Sequence, residues 1–180
     1  YVADQGQREA LLEEAQGLPT LLLNSAAAAN AVMLGAGYFN PLNGYMNLTD
    51  SLSVAEKLHT VDGLFWPVPV VNLTDETGVE ANSRIALLDP NVEGNPVIAI
   101  MNVDAVESVS EDQMDFMAEK IYRTLDPKHP GVATFKGLGR TMVSGSIEVV
   151  SLSYFQSDFP ATFRTAVEIR EEIAANGWNK

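Results

Sequence analysis

GAGYFNPLNGYMN, residues 35–47, sets glycines, aromatics and a proline side by side with neither a helical nor a strand period. Such a stretch is built for shape. Gly35 and Gly37 can take left-handed backbone angles closed to other residues. Pro41 fixes its own φ and pushes Asn40 toward extended geometry. Tyr38, Phe39, Leu42, Tyr45 and Met46 are then expected to pin the turn into a core. The segment reads as a buried, aromatic-anchored corner rather than a ligand-binding loop.

On the N-terminal side of the corner the signals are helical. Gln5 to Gln16 is rich in Glu, Leu and Ala and ends at Gly17, a helix with a glycine stop. Leu18 to Leu23, opened by Pro19, reads as a short strand. Asn24 or Ser25 can cap the run Ala26 to Leu34, whose consecutive alanines carry the strongest intrinsic helix propensity. That helix delivers the chain into the corner.

Beyond the corner, Thr49 or Asp50 is expected to cap a helix over Ser51 to Leu58, with Leu52, Ala55 and Leu58 on one face. Phe65 to Val71 is apolar and β-prone, but Pro67 and Pro69 cannot donate to a ladder, so it is expected as an edge or irregular strand. Ser83 to Leu88 and Pro96 to Val103 read as strands. The turn chemistry of Asp89-Pro90-Asn91 and Gly94-Asn95 between them predicts a hairpin. Glu111 to Arg123 is a helix capped by Ser110, with acids in its first turn and Lys120 and Arg123 in its last. Pro127 to Phe135 is a loop or short helix, and Met142 to Leu152 returns to strand character. A last helix is expected from Pro160 to about Ala175, burying Phe163, Ala166, Val167 and Ile173 and stopping at Asn176-Gly177. Short helices around separated strands, without regular βαβ alternation, predict an α+β domain with a mixed sheet or small barrel.

Composition narrows the function classes. The 180 residues suit one domain or a domain with a small appendage, and 46% hydrophobic content supplies a core. Eleven basic against 24 acidic side chains leave a net charge of −13, which disfavours phosphate backbones and anionic membrane surfaces, so neither nucleic acid nor membrane is expected as a partner. With no cysteine there is no disulfide framework and no thiolate zinc site. No apolar run approaches a membrane span and no signal-peptide pattern opens the sequence, so a cytoplasmic protein is expected.

The residues that could carry chemistry are sparse. His59 falls at a helix end and His129 within His129-Pro130-Gly131-Val132, neither in a metal-binding spacing. Gly137-Leu138-Gly139 lacks the third glycine of a dinucleotide loop, because Met142 stands there, and with Lys136 and Arg140 it reads as a mobile basic turn. Ser144 and Ser146 flank Gly145 without a nucleophile elbow. Asn47-Leu48-Thr49 and Asn72-Leu73-Thr74 match the N-glycosylation pattern, which is short enough to arise by chance.

Five stretches, taken in order, resemble one family. The corner is similar to the Gly-x-Phe-Ser-Pro-Leu-x-Gly-Phe-Met segment of ATP sulfurylase, or sulfate adenylyltransferase, with Asn40 in place of the usual serine. Asp62 to Val70, Arg84-Ile85-Ala86-Leu87, His129 to Val132 and the last helix ending Asn176-Gly177-Trp178 resemble further segments of the same N-terminal domain. The wording is most like that of enzymes from sulfur-oxidising bacteria.

The resemblance implies a PUA-like mixed β-barrel with peripheral helices over 1–158, and a helix and linker over 159–180 leading toward a Rossmann-like catalytic domain. It implies a reaction of MgATP and sulfate that gives adenosine 5′-phosphosulfate and diphosphate, or the reverse, in a homo-oligomeric enzyme. The family's catalytic Gln-x-Arg-Asn and His-x-x-His motifs do not occur in these residues, so no catalytic, cofactor-binding or metal residue is assigned. The chain is expected to brace its own catalytic domain. PUA-like domains elsewhere bind RNA, and that alternative meets the obstacle of the negative charge.

Overall fold

The computed structural model describes residues 1–178. Asn179 and Lys180, at the end of the linker expected over 159–180, lie outside the described residues. In chain order the first elements are α1 (Gln5–Ala15), β1 (Thr20–Leu22), α2 (Ser25–Gly35), β2 (Gly44–Tyr45), α3 (Leu48–Lys57) and β3 (Leu73–Thr74). The middle of the chain forms β4 (Arg84–Leu88), β5 (Val97–Asn102), β6 (Ala105–Ser108) and α4 (Glu111–Tyr122). The last elements are α5 (Pro130–Lys136), β7 (Thr141–Val149), α6 (Phe155–Asp158) and α7 (Ala166–Ala175). No helix among the described residues is long and apolar enough to cross a membrane.

The chain divides into two compact units made of alternating segments. The first takes Tyr1–Asn43, Arg84–Met101 and the chain from Ile147; the second takes Gly44–Ser83 and Asn102–Ser146. In the first unit β1 runs parallel to β4, Thr20 opposite Ala86 and Leu22 opposite Leu88. The expected hairpin of β4 and β5 is present, closed by the Asp89 N–H donating to the Pro96 carbonyl at 2.9 Å. The end of β7 lies antiparallel to β5, Ile147 opposite Met101. Parallel and antiparallel pairs together make the sheet mixed, as expected. Ala15, Ala86 and Ile100 are buried there with Leu11, Leu18 and Val97 against them. On α2, Ala27, Ala28 and Ala31 are buried, so its alanines serve close packing as well as helix propensity.

In the second unit β7 is the strand the others assemble on. β3 and β6 flank its start, with Met142 opposite both Leu73 and Glu107. β2 joins it at Gly145 and Ser146. Gly44 and Gly145 meet there backbone to backbone: a Cβ on Gly44 would overlap the Gly145 carbonyl, and one on Gly145 would overlap the Asn102 carbonyl. Gly145 also holds φ +145°, which side-chain-bearing residues rarely adopt. A buried cluster of Leu73, Met114, Met117, Phe135 and Met142 fills the unit, with α3 packed on α4 and α4 on α5.

Helix ends follow their caps more than their periodicity. Asn24 and Ser110 cap α2 and α4 as expected, Ser110 in a capping box with Gln113. For α3 the expectation of Thr49 or Asp50 is corrected: the Asn47 side chain accepts from the Asp50 N–H at 2.8 Å and starts the helix earlier. The last helix is corrected too. It begins at Ala166 under a Thr165–Glu168 capping box, while Pro160 sits in a preceding turn, and no residue of α7 is buried. Phe65 to Val71 forms no strand; it makes one bridge, Phe65 to His59, and the ladder starts at Leu73, past both prolines. β6 is a strand that the sequence reading did not anticipate.

Gly145→Ala should destabilise the protein by roughly 1–3 kcal/mol through overpacking and backbone strain, read as a lower urea midpoint at unchanged m-value. Met117→Ala should cost about 2–5 kcal/mol, whereas Val167→Ala should stay within about 0.5 kcal/mol, since Met117 is fully buried and Val167 is 54% exposed. A large loss in Val167→Ala would show that α7 is packed.

Candidate functional site

The corner begins as a helix terminus. Gly35 is helical, not left-handed, and abuts β7: a Cβ on it would lie 2.6 Å from Val149 Cγ1. Gly37 takes the left-handed position at φ +81°. The Tyr38 N–H reaches back to the Met33 carbonyl at 3.0 Å and the Gly37 N–H to the Leu34 carbonyl at 3.1 Å, the two crossed bonds of a Schellman stop. The Asn40–Pro41 peptide is cis. Tyr45 and Met46 are buried, as expected, and burial raises the Tyr45 hydroxyl above the ordinary tyrosine range. Phe39 and Leu42 are half-buried, and Tyr38, expected in the core, is 43% exposed.

Tyr38 is exposed because its hydroxyl has another task. It donates to the Arg164 carbonyl at 2.5 Å, and two residues on the Ala166 N–H donates to the Ala36 carbonyl at 2.8 Å. The segment so held is stiffened by its own aromatics: Phe155 stacks on Tyr154 at 4.6 Å and lies 5.6 Å from Phe163 and 6.4 Å from Phe159. Glu168 closes the start of α7, accepting from the Thr165 N–H at 2.6 Å and the Thr165 hydroxyl at 2.8 Å. The Thr165 N–H first, then its hydroxyl, hold the Glu168 carboxyl below the usual range. A cavity of about 430 Å³ lies between corner and segment, lined by Gly37, Asn40, Gln156, Thr165, Val167 and Glu168 among others. Its lining contains a carboxylate and neither lysine nor arginine, a poor match to an oxyanion.

The polar residues singled out in the sequence are spread over separate structural tasks. His129 caps α5, its Nδ1 accepting from the Val132 N–H at 3.4 Å; Pro130 follows at the first helical position and Val132 is buried. Gly131 leaves room for the Tyr122 ring, which a Cβ would approach at 2.5 Å. His59 is exposed, its Nδ1 2.8 Å from the Lys57 carbonyl and its ring edge-on to Phe65. Among the described residues no three histidine, aspartate or glutamate side chains gather as a metal site.

The basic turn after α5 is tied down rather than free. Lys136 pairs with Asp115 at 2.5 Å, the Arg140 N–H donates to Asp75 Oδ1 at 3.0 Å, and Gly139 packs on the Thr74 backbone. Arg84 bridges Glu14 at 2.5 Å and Glu148 at 2.7 Å, and its hydrogen bond lowers the Glu14 carboxyl below the ordinary range. Ser144 donates to the Ala105 carbonyl and Ser146 accepts from Asn102. Of the two glycosylation patterns, Asn72 is buried and Asn47 serves as a helix cap.

A PUA-like domain model matches residues 1–152. The chain is 57% identical to a sulfate adenylyltransferase of Allochromatium vinosum over 181 aligned positions, covering 100% of this chain and 46% of the relative. Identity is 47% to the sulfate adenylyltransferase of the Riftia pachyptila sulfur-oxidizing endosymbiont, covering 100% of this chain and 41% of that protein. The chain thus spans under half the length of these relatives. Among solved structures, a hexameric APS kinase from Thiobacillus denitrificans matches at TM-score 0.71 and 25% identity, over 97% of this chain and 30% of that one. The mixed sheet, its peripheral helices and the matched family model lead to one conclusion: this chain belongs to the PUA-like domain family, with the α+β fold that the segment-by-segment resemblance implied.

Proposed function

We propose that this chain is the N-terminal domain of a sulfate adenylyltransferase, a cytoplasmic nucleotidyltransferase that joins MgATP and sulfate into adenosine 5′-phosphosulfate and diphosphate. The observation that carries the reading is 57% identity across the whole chain to a protein of that name. In this reading residues 1–158 form the PUA-like domain and 159–180 lead into a Rossmann-like catalytic domain. Similarity to the protein of a sulfur-oxidizing endosymbiont supports the ATP-forming direction. The hexameric neighbour supports a homo-oligomer.

The domain's own task is to brace the catalytic part. When sulfate attacks the α-phosphorus, charge gathers on the pentavalent centre and must be met by cations aimed at it. Here Lys136 and Arg84 are held in ion pairs, and the net charge is −13. In this reading the ATP and sulfate sites lie in the remainder of the longer protein, as do the contacts with Mg²⁺.

Incubated with MgATP and sulfate, the purified 180-residue chain should release no diphosphate above the enzyme-free rate, while a longer protein that contains it should. Diphosphate release by the chain alone would overturn the bracing role.

A further inference from the structure

Residues 150–165 connect β7 to α7, and α7 itself has no fully buried residue. Only Ala166 and Ile169 of α7 are even half-buried, a narrow apolar footing, so the direction of the helix depends on the polar anchoring at its start. Two hydrogen bonds to the corner supply that anchoring: Tyr38 hydroxyl to the Arg164 carbonyl and Ala166 N–H to the Ala36 carbonyl. They lie on either side of Thr165, the cap from which the helix starts. Gly37, between the two anchoring residues, has the room this needs, since even a Cβ there would come within 3.4 Å of the Ala166 Cβ.

We infer that Tyr38 is a positioning residue: its hydroxyl latches residues 164–166 to the corner and sets the angle at which α7 departs. The aromatic row of Tyr154, Phe155, Phe159 and Phe163 makes the segment stiff enough for a latch at one end to orient the helix at the other. The role in catalysis rests on the reading of this chain as the N-terminal domain of a sulfate adenylyltransferase, in which α7 leads to the catalytic part. The latch itself does not rest on it.

Tyr38→Phe removes one oxygen from a side chain that is 43% exposed, so the fold should be retained. In the 180-residue chain, amide hydrogen exchange over Ala166–Ala175 should quicken by about fivefold, the worth of one hydrogen bond, while exchange in α4 stays unchanged. Equal exchange over α7 in variant and wild type would overturn the latch. In the longer protein the variant should lose severalfold in kcat for diphosphate release with KM for MgATP unchanged. Quickened exchange with full kcat would overturn the positioning role. A wild-type longer protein without diphosphate release would instead count against the sulfate adenylyltransferase reading, and the exchange data would still judge the latch.

Discussion

The close approach of Gly44 and Gly145 is the constraint on which the second unit depends. Strand β7 is flanked by β3 and β6 over its first residues and then takes β2 as partner at Gly145. A strand that changes partners within a few residues must bend there, and a bend in a crowded sheet leaves no volume for a Cβ. Gly145 supplies both the open backbone angle and the missing side chain, and Gly44 supplies the matching absence opposite. The methionine-rich cluster behind this strand suits such a site, since Met114, Met117 and Met142 have flexible side chains that fill irregular spaces.

Much of this was readable from local chemistry. Caps at Asn24 and Ser110, the turn residues between β4 and β5, and the glycine stop at Gly177 act over a few residues, and they stand where the sequence places them. The failures came where two local signals competed. Pro160 looks like the first turn of a helix, yet Thr165-Ala-Val-Glu168 is a capping box that was equally visible and prevailed. Asn47 prevailed over Thr49 and Asp50 in the same way. β6 has four residues of mixed character and gains its conformation from pairing with β7, which no window of sequence contains.

The corner shows a different kind of limit. Its glycines and aromatics announced a turn, but the Tyr38 hydroxyl meets a carbonyl 126 residues away, and nothing in the spacing of either segment encodes that meeting. An exposed tyrosine in an otherwise anchoring set was the one available hint, and it becomes visible only once burial is known. Arg84 is the same case: its strand was recognisable, while its two carboxylate partners come from α1 and β7.

The division of the chain into alternating segments also bears on how the protein is made. The second unit draws on nothing after Ser146, so all of its residues exist once that position has been synthesised. The first unit needs the end of β7 as well as the opening helices, which by then have waited for about a hundred residues of intervening chain. A ribosome-bound chain therefore completes its middle before its beginning. Through that interval the edge of β5 stands without its last partner, and unpaired edges are the surfaces that nascent-chain chaperones protect.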